Sequence, residues 1–522
     1  MSGDANLVLV GGKVFTASKE KPWAKALAVR GDRIVAVGTD AQAERWSGRG
    51  TRTVDLRGRT VVPGFIDAHS HMVDAATEFG WAHLDGTASM SAAIERMRAL
   101  AQRTPPGGWV VGVDWDEAKW PERRYFLRSD LDQVSTDHPV VAVRMDGHMG
   151  CANSKALELA ADVLGMEGVE KDAAGQPTGV LKEEPFYMLH ERFAPSEAVL
   201  DAGLLRMARK AHRLGITSIH DIVGARQLRA YLRARRRGTL GLRLYALPRD
   251  DLLDPLVASG ISTGLGDTWL RIGAIKVFTD GSLGAYTAAL GQPYVGQSEN
   301  RGILVHSNDE LRKIFLRAHQ GGFQTATHAL GDAAIRQVVE TWESILKEHP
   351  KRDHRHRIEH LELPDDDLLR RMKANGLLAS CQPNFIGQWS GPGDVYETRL
   401  GNERNAMNNP YRLVLRRRIP LCFGSDGMPY GPLYGIHSTV NGYFPDQRIS
   451  VEQAIRAYTT GGAYASFQEE DKGTLESGKL ADFVILGGDP FAEPERIRDL
   501  PIQSTWIGGQ CVYRSGESRR AR

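Results

Sequence analysis

The chain has little of what would place it in a specialised class. Its 522 residues include four cysteines, Cys151, Cys381, Cys422 and Cys511, each standing alone. Without a CxxC pair or a dense cysteine framework, a disulfide scaffold is excluded, and the thiols are expected as buried fillers. No apolar run reaches the ~18 residues that cross a bilayer. Met1 to Asn6 is polar and lacks the basic and apolar regions of a signal peptide. Charge of one sign is also missing: 66 Lys+Arg face 64 Asp+Glu, a formal +2, which gives no general attraction to nucleic acid or an acidic membrane. The most basic stretch, Arg233 with Arg235-Arg236-Arg237, reads as a solvated helix end. Internal repeats and low-complexity tracts are absent. What remains, 41% hydrophobic and 25% charged residues, is an ordinary globular balance. A cytoplasmic, soluble protein with no nucleic-acid or membrane partner is expected.

Length alone leaves room for about three domains of ~150 residues, although an α/β barrel can use 250 or more as one. The first sixty residues read as short strands, Leu7–Val10, Lys13–Thr16, Ala26–Val29 and Arg33–Gly38, with hairpin signals at Gly11-Gly12 and Gly31-Asp32. The C-terminal end has the same texture in Ala481–Leu486, Ser504–Ile507 and Gln510–Tyr513. Neither end has enough strands for a stable core. Together, 1–60 and 475–522 are expected to form one small β-sandwich.

The middle alternates apolar strands with helices, the pattern of a parallel α/β architecture. Eight strands are predicted, at Gly64–His69, Gly215–His220, Leu242–Leu247, Ile272–Phe278, Gln324–His328, His356–His360, Leu377–Gln382 and Pro420–Asp426. Helical segments such as Ala198–Leu214, Asn308–Gln320 and Asp365–Asn375 separate most of them. The fold class is therefore α/β, a (β/α)₈ TIM-like barrel over 61–79 and 196–474. The gap after the first strand holds further strands at 109–113 and 139–144, so 80–195 is expected as an inserted α/β subdomain covering the barrel mouth.

Polar residues collect at the C-terminal ends of these strands, where barrel enzymes keep their active sites. His69 and His71 stand two apart in extended chain, so both imidazoles can converge on one metal. His328 and His360 end the fifth and sixth strands at one level. His354 and His356 form another HxH, but at the start of their strand, and read as surface residues. Asp426 closes the eighth strand, where it could cap a helix or ligate a metal and take a proton from bound water. Lys276 lies inside an apolar strand, where a buried amine is costly unless paired or neutral. It either pairs, for instance with Asp280, or reacts with carbon dioxide to give a carbamate that bridges two cations.

This set resembles the amidohydrolase superfamily, in its amidohydrolase-3 branch of N-substituted formamide deformylase-like proteins. The resemblance spans almost the whole chain. It runs through Pro63–His71, Arg144–His148 with Asn153-Ser154, Pro177–Gly179, Lys276–Ser282, His328–Asp332, Arg357–His360, Ser380–Pro383, Gly424–Asp426 and Gly478–Asp482. It implies a barrel with a small β-sandwich. It also implies His69, His71 and Asp426 on one metal, His328 and His360 on the other, and a carbamate on Lys276 as the bridge. Lys182 ranks second for the bridge. One or two divalent cations, zinc foremost, are the implied cofactor, and a homodimer is the family expectation.

The expected activity is metal-dependent hydrolysis of a linear C–N amide bond, of N-substituted formamide or N-acyl amine type, with Asp426 as proton carrier. His220 either hydrogen-bonds the substrate carbonyl, orients a ligand or is structural. Trp115, Arg144, His148 and Phe385 are candidate contacts for a small substrate with a hydrophobic or aromatic group. Hydrolysis of a cyclic amide, ester or carbamate, deamination, and a non-catalytic binding protein are the alternatives.

Overall fold

A computed structural model of the protein describes residues 4–77, 80–193 and 196–516. The predicted breaks between middle and insertion, and the tail after 516, fall on residues outside this set. Two parallel sheets form the centre. The first contains β1 (Phe65–Ser70), β2 (Ile216–Val223) and β3 (Arg243–Pro248), with Leu270–Ile272 at its edge. The second contains β4 (Ile275–Phe278), β5 (Thr325–Ala329), β6 (Arg357–His360), β7 (Leu378–Cys381) and β8 (Leu421–Phe423), paired in chain order. A parallel bridge between Arg249 and Lys276 joins β3 to β4. At the other edge, Asp426 N–H donates to the His69 carbonyl over 2.9 Å, tying the end of β8 to the end of β1.

These strands are buried on both faces, which is why they read as apolar runs rather than alternating ones. Several of the connecting helices start on side-chain caps. Ser307 forms a reciprocal capping box with Glu310 at the head of Asn308–Gln320, and Ser196 caps Glu197–Arg213. The Arg233–Arg237 stretch ends a helix whose arginines pair with Glu197, Asp201 and Asp267.

Strands from both termini share one six-stranded sheet. Lys13–Phe15 and Thr60–Pro63 lie beside Phe483–Leu486, Ile502–Ile507 and Gln510–Arg514. A four-stranded sheet from the first 55 residues packs on it around Leu9, Val29, Val61, Phe483 and Trp506. The seam to the centre is a buried ion pair, with Arg243 Nε and Nη2 donating to the two Asp482 oxygens at 2.6 and 3.0 Å.

Residues 82–182 contribute a separate six-stranded sheet, including Val110–Trp115, Val140–Arg144, Met149–Ala152 and Pro177–Lys182, with an apolar cluster on each face. All four cysteines are free, and three are buried. Among the described residues, no helix is long and apolar enough to cross a membrane.

His354 and His356 are not surface residues. Both are buried beneath the start of β6, where His356 stacks on Trp342 at 3.6 Å between ring centroids and bonds His319 at 3.0 Å. A position at the entry of a strand looks exposed in sequence. It is closed here by the helices that pack over the sheet's lower end.

Candidate metal centre and cavity

The strand ends bring the predicted ligands together. His69, His71 and Asp426 offer atoms that all lie within 4.8 Å of one another. Asp426 Oδ1 is 3.6 Å from His69 Nε2 and 3.2 Å from His71 Nε2. The rings of His69 and His360 are 4.9 Å apart by centroid, and those of His328 and His360 are 4.4 Å apart. Gly424 makes this approach feasible, since a Cβ there would fall 2.3 Å from His69 N. Asp426 (φ +55°) and His360 (φ +69°) both adopt left-handed backbone, uncommon for residues with a side chain and frequent at functional sites.

The hydrogen bonds behind these side chains orient them. His69 Nδ1 lies 2.5 Å from Glu359 Oε2. The imidazole therefore donates there and keeps the Nε2 lone pair facing Asp426. Glu359 is in turn gripped by Arg357 through two contacts, and Arg357 also donates to the Ala68 carbonyl and Ser380. Although burial opposes it, Arg357 together with His69 holds the Glu359 carboxyl far below the usual carboxylate range. His71 Nδ1 faces Asp74 at 3.4 Å. His328 Nε2 donates to the Gly281 carbonyl over 3.1 Å, leaving Nδ1 as the acceptor nitrogen.

Lys276 is fully buried, and its amine has no hydrogen-bond partner. Burial, the largest influence, pushes it down to about 8. The salt bridge to Asp280 does not form, because Asp280 accepts the backbone N–H groups of Ala289, Leu330 and Gly331. Lys182 lies in the insertion, 3.8 Å from Glu170 and over the Tyr125 ring. His69 Nε2, His360 Nδ1 and Lys276 Nζ are thus three buried nitrogens on the central strands without hydrogen-bond partners. Buried polar atoms are normally satisfied, so this donor set fits divalent cations.

His220 sits deeper. Arg357 donates to its Nδ1 over 2.9 Å, and because guanidinium cannot accept, the neutral ring carries its hydrogen on Nε2, which is unpartnered. His220 is not among the residues lining the cavity above the ligands. Of the four candidate substrate contacts, Arg144, His148 and Phe385 line that cavity. Trp115 does not: it is wholly buried in the insertion's core, stacked on Trp120 at 5.9 Å. A register shift between Gly112 and Trp115, with Asp114 at φ +65°, breaks the alternation of Val110–Trp115 and turns Trp115 toward neighbouring tryptophan and phenylalanine, a packing outcome that composition cannot show.

Arg144 is more committed than a free anchor. It donates to Glu117 at 2.9 and 3.2 Å and to Asp146 at 2.8 Å, while Arg399 donates to the same Glu117 at 2.7 Å. This buried cluster ties the insertion to the loops that follow β4 and β7. His148 contacts Glu183 at 3.0 Å and has its ring centroid 5.0 Å from that of His328. Burial opposes its protonation, but Glu183 and Asp146 raise it. Sequence reasoning missed Glu359, Arg357, Glu183 and Asp67, whose carboxyl accepts Ser425 N–H and Oγ–H at 2.8 and 2.5 Å. Three of them left a signal: Asp67, Arg357 and Glu359 are charged residues inside strand-like segments that the fold buries. Glu183 left none.

Known proteins match this architecture over nearly its full length. The model of the amidohydrolase family matches residues 52–513. The N-substituted formamide deformylase of Arthrobacter pascens is 28% identical over 97% of this chain and 98% of its own. Protein LONG AFTER FAR-RED 3 of Arabidopsis thaliana is 28% identical over 98% of this chain and 92% of its own. A crystal structure of an uncharacterized metal-dependent hydrolase from Pyrococcus furiosus, 28% identical, superposes with a TM-score of 0.74 over 93% of this chain and 99% of that one. The chain belongs to the amidohydrolase family.

Proposed function

We propose that the protein is a metal-dependent hydrolase that cleaves a linear C–N amide bond, of the N-substituted formamide or N-acyl amine type. The observation that carries this is the cluster of His69, His71 and Asp426, joined by three buried nitrogens without hydrogen-bond partners on the central strands, His69 Nε2, His360 Nδ1 and Lys276 Nζ. The match to a deformylase over the full length of both chains supports the bond type, and the Pyrococcus relative supports the metal. The proposal includes eight strands closed as a (β/α)₈ barrel over 61–79 and 196–474, a β-sandwich from 1–60 and 475–522, and an insertion at 80–195.

His69, His71 and Asp426 would hold one cation and His328 and His360 another, with zinc the first choice. A bound cation polarises a carbonyl and brings the pKa of water from about 15.7 to about 7. Lys276, whose amine is pushed down to about 8 by burial, would add its nitrogen to carbon dioxide after losing one proton to solvent and release a second, giving a carbamate anion able to bridge the two groups of ligands. Asp426 holds the proton taken from water and returns it to the leaving nitrogen. His220, whose Nδ1 accepts from Arg357 and whose Nε2–H has no partner, would donate to the substrate carbonyl or position a ligand. Phe385 and His148 bound the space for the substrate body.

Metal analysis of protein purified without chelator, with a panel of formanilides, N-acyl amines, lactams and aryl esters, tests the reading. One or two divalent ions per chain and turnover confined to linear amides are expected. Full activity in metal-free protein would overturn it.

A further inference from the structure

The cavity holds a polar group that the proposed reaction does not use. Glu362, two residues past His360, is 1% exposed and lines the cavity beside Phe385, Trp389 and Tyr396. Neither of its carboxylate oxygens has a hydrogen-bond partner. Burial pushes the carboxyl up to about 8; Tyr396 Oη and Asn408 Nδ2 lie near enough to oppose that, yet neither completes a hydrogen bond, and both are themselves unpartnered. The nearby guanidinium groups are engaged elsewhere, Arg144 with Glu117 and Asp146, and Arg399 with Glu117. A buried carboxyl without a donor is costly, and such groups normally have a partner. The wall around it is aromatic, and the rings of Phe385 and Trp389 pack 4.6 Å apart by centroid. Aromatic faces attract cations, and a carboxylate accepts their N–H groups.

We propose that Glu362 and the wall of Phe385, Trp389 and Tyr396 form a specificity subsite for a positively charged nitrogen, so that the preferred substrate is an amide carrying an ammonium or guanidinium group. The inference rests on the metal-hydrolase reading of the same cavity. It narrows the substrate from hydrophobic or aromatic amides in general to those that also carry a cationic group.

Two metal-directed hydroxamic acids of equal size test this: 4-(aminomethyl)phenylacetohydroxamic acid and its neutral 4-ethyl counterpart, titrated calorimetrically into the zinc-loaded protein. The ammonium compound is expected to bind at least about tenfold more tightly, a difference of roughly 1.4 kcal/mol. In Glu362→Gln, the ratio should fall to about one, with partial recovery in Glu362→Asp. Equal binding of both compounds to the wild-type protein, or a preference that survives in Glu362→Gln, would overturn the subsite while leaving the hydrolase reading intact. Binding of neither compound would overturn both. Should the glutamine variant fail to fold, the wild-type ratio alone decides.

Discussion

Glu359 shows how much of a metal site lies behind its ligands. It touches His69 at 2.5 Å and is held by Arg357, so it sets which imidazole nitrogen carries the hydrogen. Replacing it with glutamine keeps the shape but lets the amide present either a donor or an acceptor to Nδ1. Outer partners of this kind are typically worth about 10- to 100-fold in metal affinity. Glu359→Gln should therefore lose metal to a competing chelator at a concentration lower by about that factor, and an unchanged metal content would refute the role. Asp426 bears a different load. Its carboxyl, although buried, is held down to about 2 by the histidines and Lys276 around it, so it is ionised at neutral pH and able to accept a proton. Asp426→Asn should lower turnover by about 10²- to 10⁴-fold with little change in thermal midpoint. Near-normal turnover would exclude it as the proton carrier.

Within single elements, β6 joins two functions. Its far end presents Glu359 and His360 to the ligand cluster, while its entry rests on the His319–His354–His356 group against Trp342. Burial, the largest influence on each, depresses all three imidazoles, His354 to about 4 and His356 well below its usual value. In the unfolded chain histidine titrates near ~6.5, so the unfolded state binds more protons below that pH. The stability these rings contribute is complete above about pH 6.5 and is lost as pH falls from there toward about 4. The thermal midpoint should drop between pH 7.5 and pH 5, and less so in His356→Met. Identical pH dependence in the two proteins would remove the cluster from the explanation. Strand identity elsewhere in the two central sheets was legible from apolar runs, as in Ile275–Phe278 and Leu421–Phe423. The burial of β6's entry was not, because it depends on how the two preceding helices, bearing His319 and Trp342, pack across the sheet.

Across the whole molecule, one buried ion pair, Arg243 with Asp482, links β3 to the sheet made from both chain ends. Asp482 also accepts the Gly508 N–H at 2.8 Å, so its loss would strand a guanidinium and a backbone donor together. Removing one partner of such a pair typically costs about 3–5 kcal/mol. Asp482→Ala should lower the thermal midpoint by several degrees, and Asp482→Asn, which retains hydrogen bonding, by less; no difference from wild type would show the seam to be held by apolar packing alone. At this scale the sequence already determined the order of strands and helices, the pairing of the two ends and the residue types gathered at the strand termini, because apolar period, turn chemistry and polar interruptions are local properties. Tertiary structure alone decided which polar groups answer one another: Glu359 behind His69, Glu183 beside His148, Trp115 turned into a core and Glu362 left without a donor. Those outcomes depend on side chains far apart in the chain meeting in a low-dielectric interior, where an unmatched charge or hydrogen bond is costly, and no local pattern records that meeting.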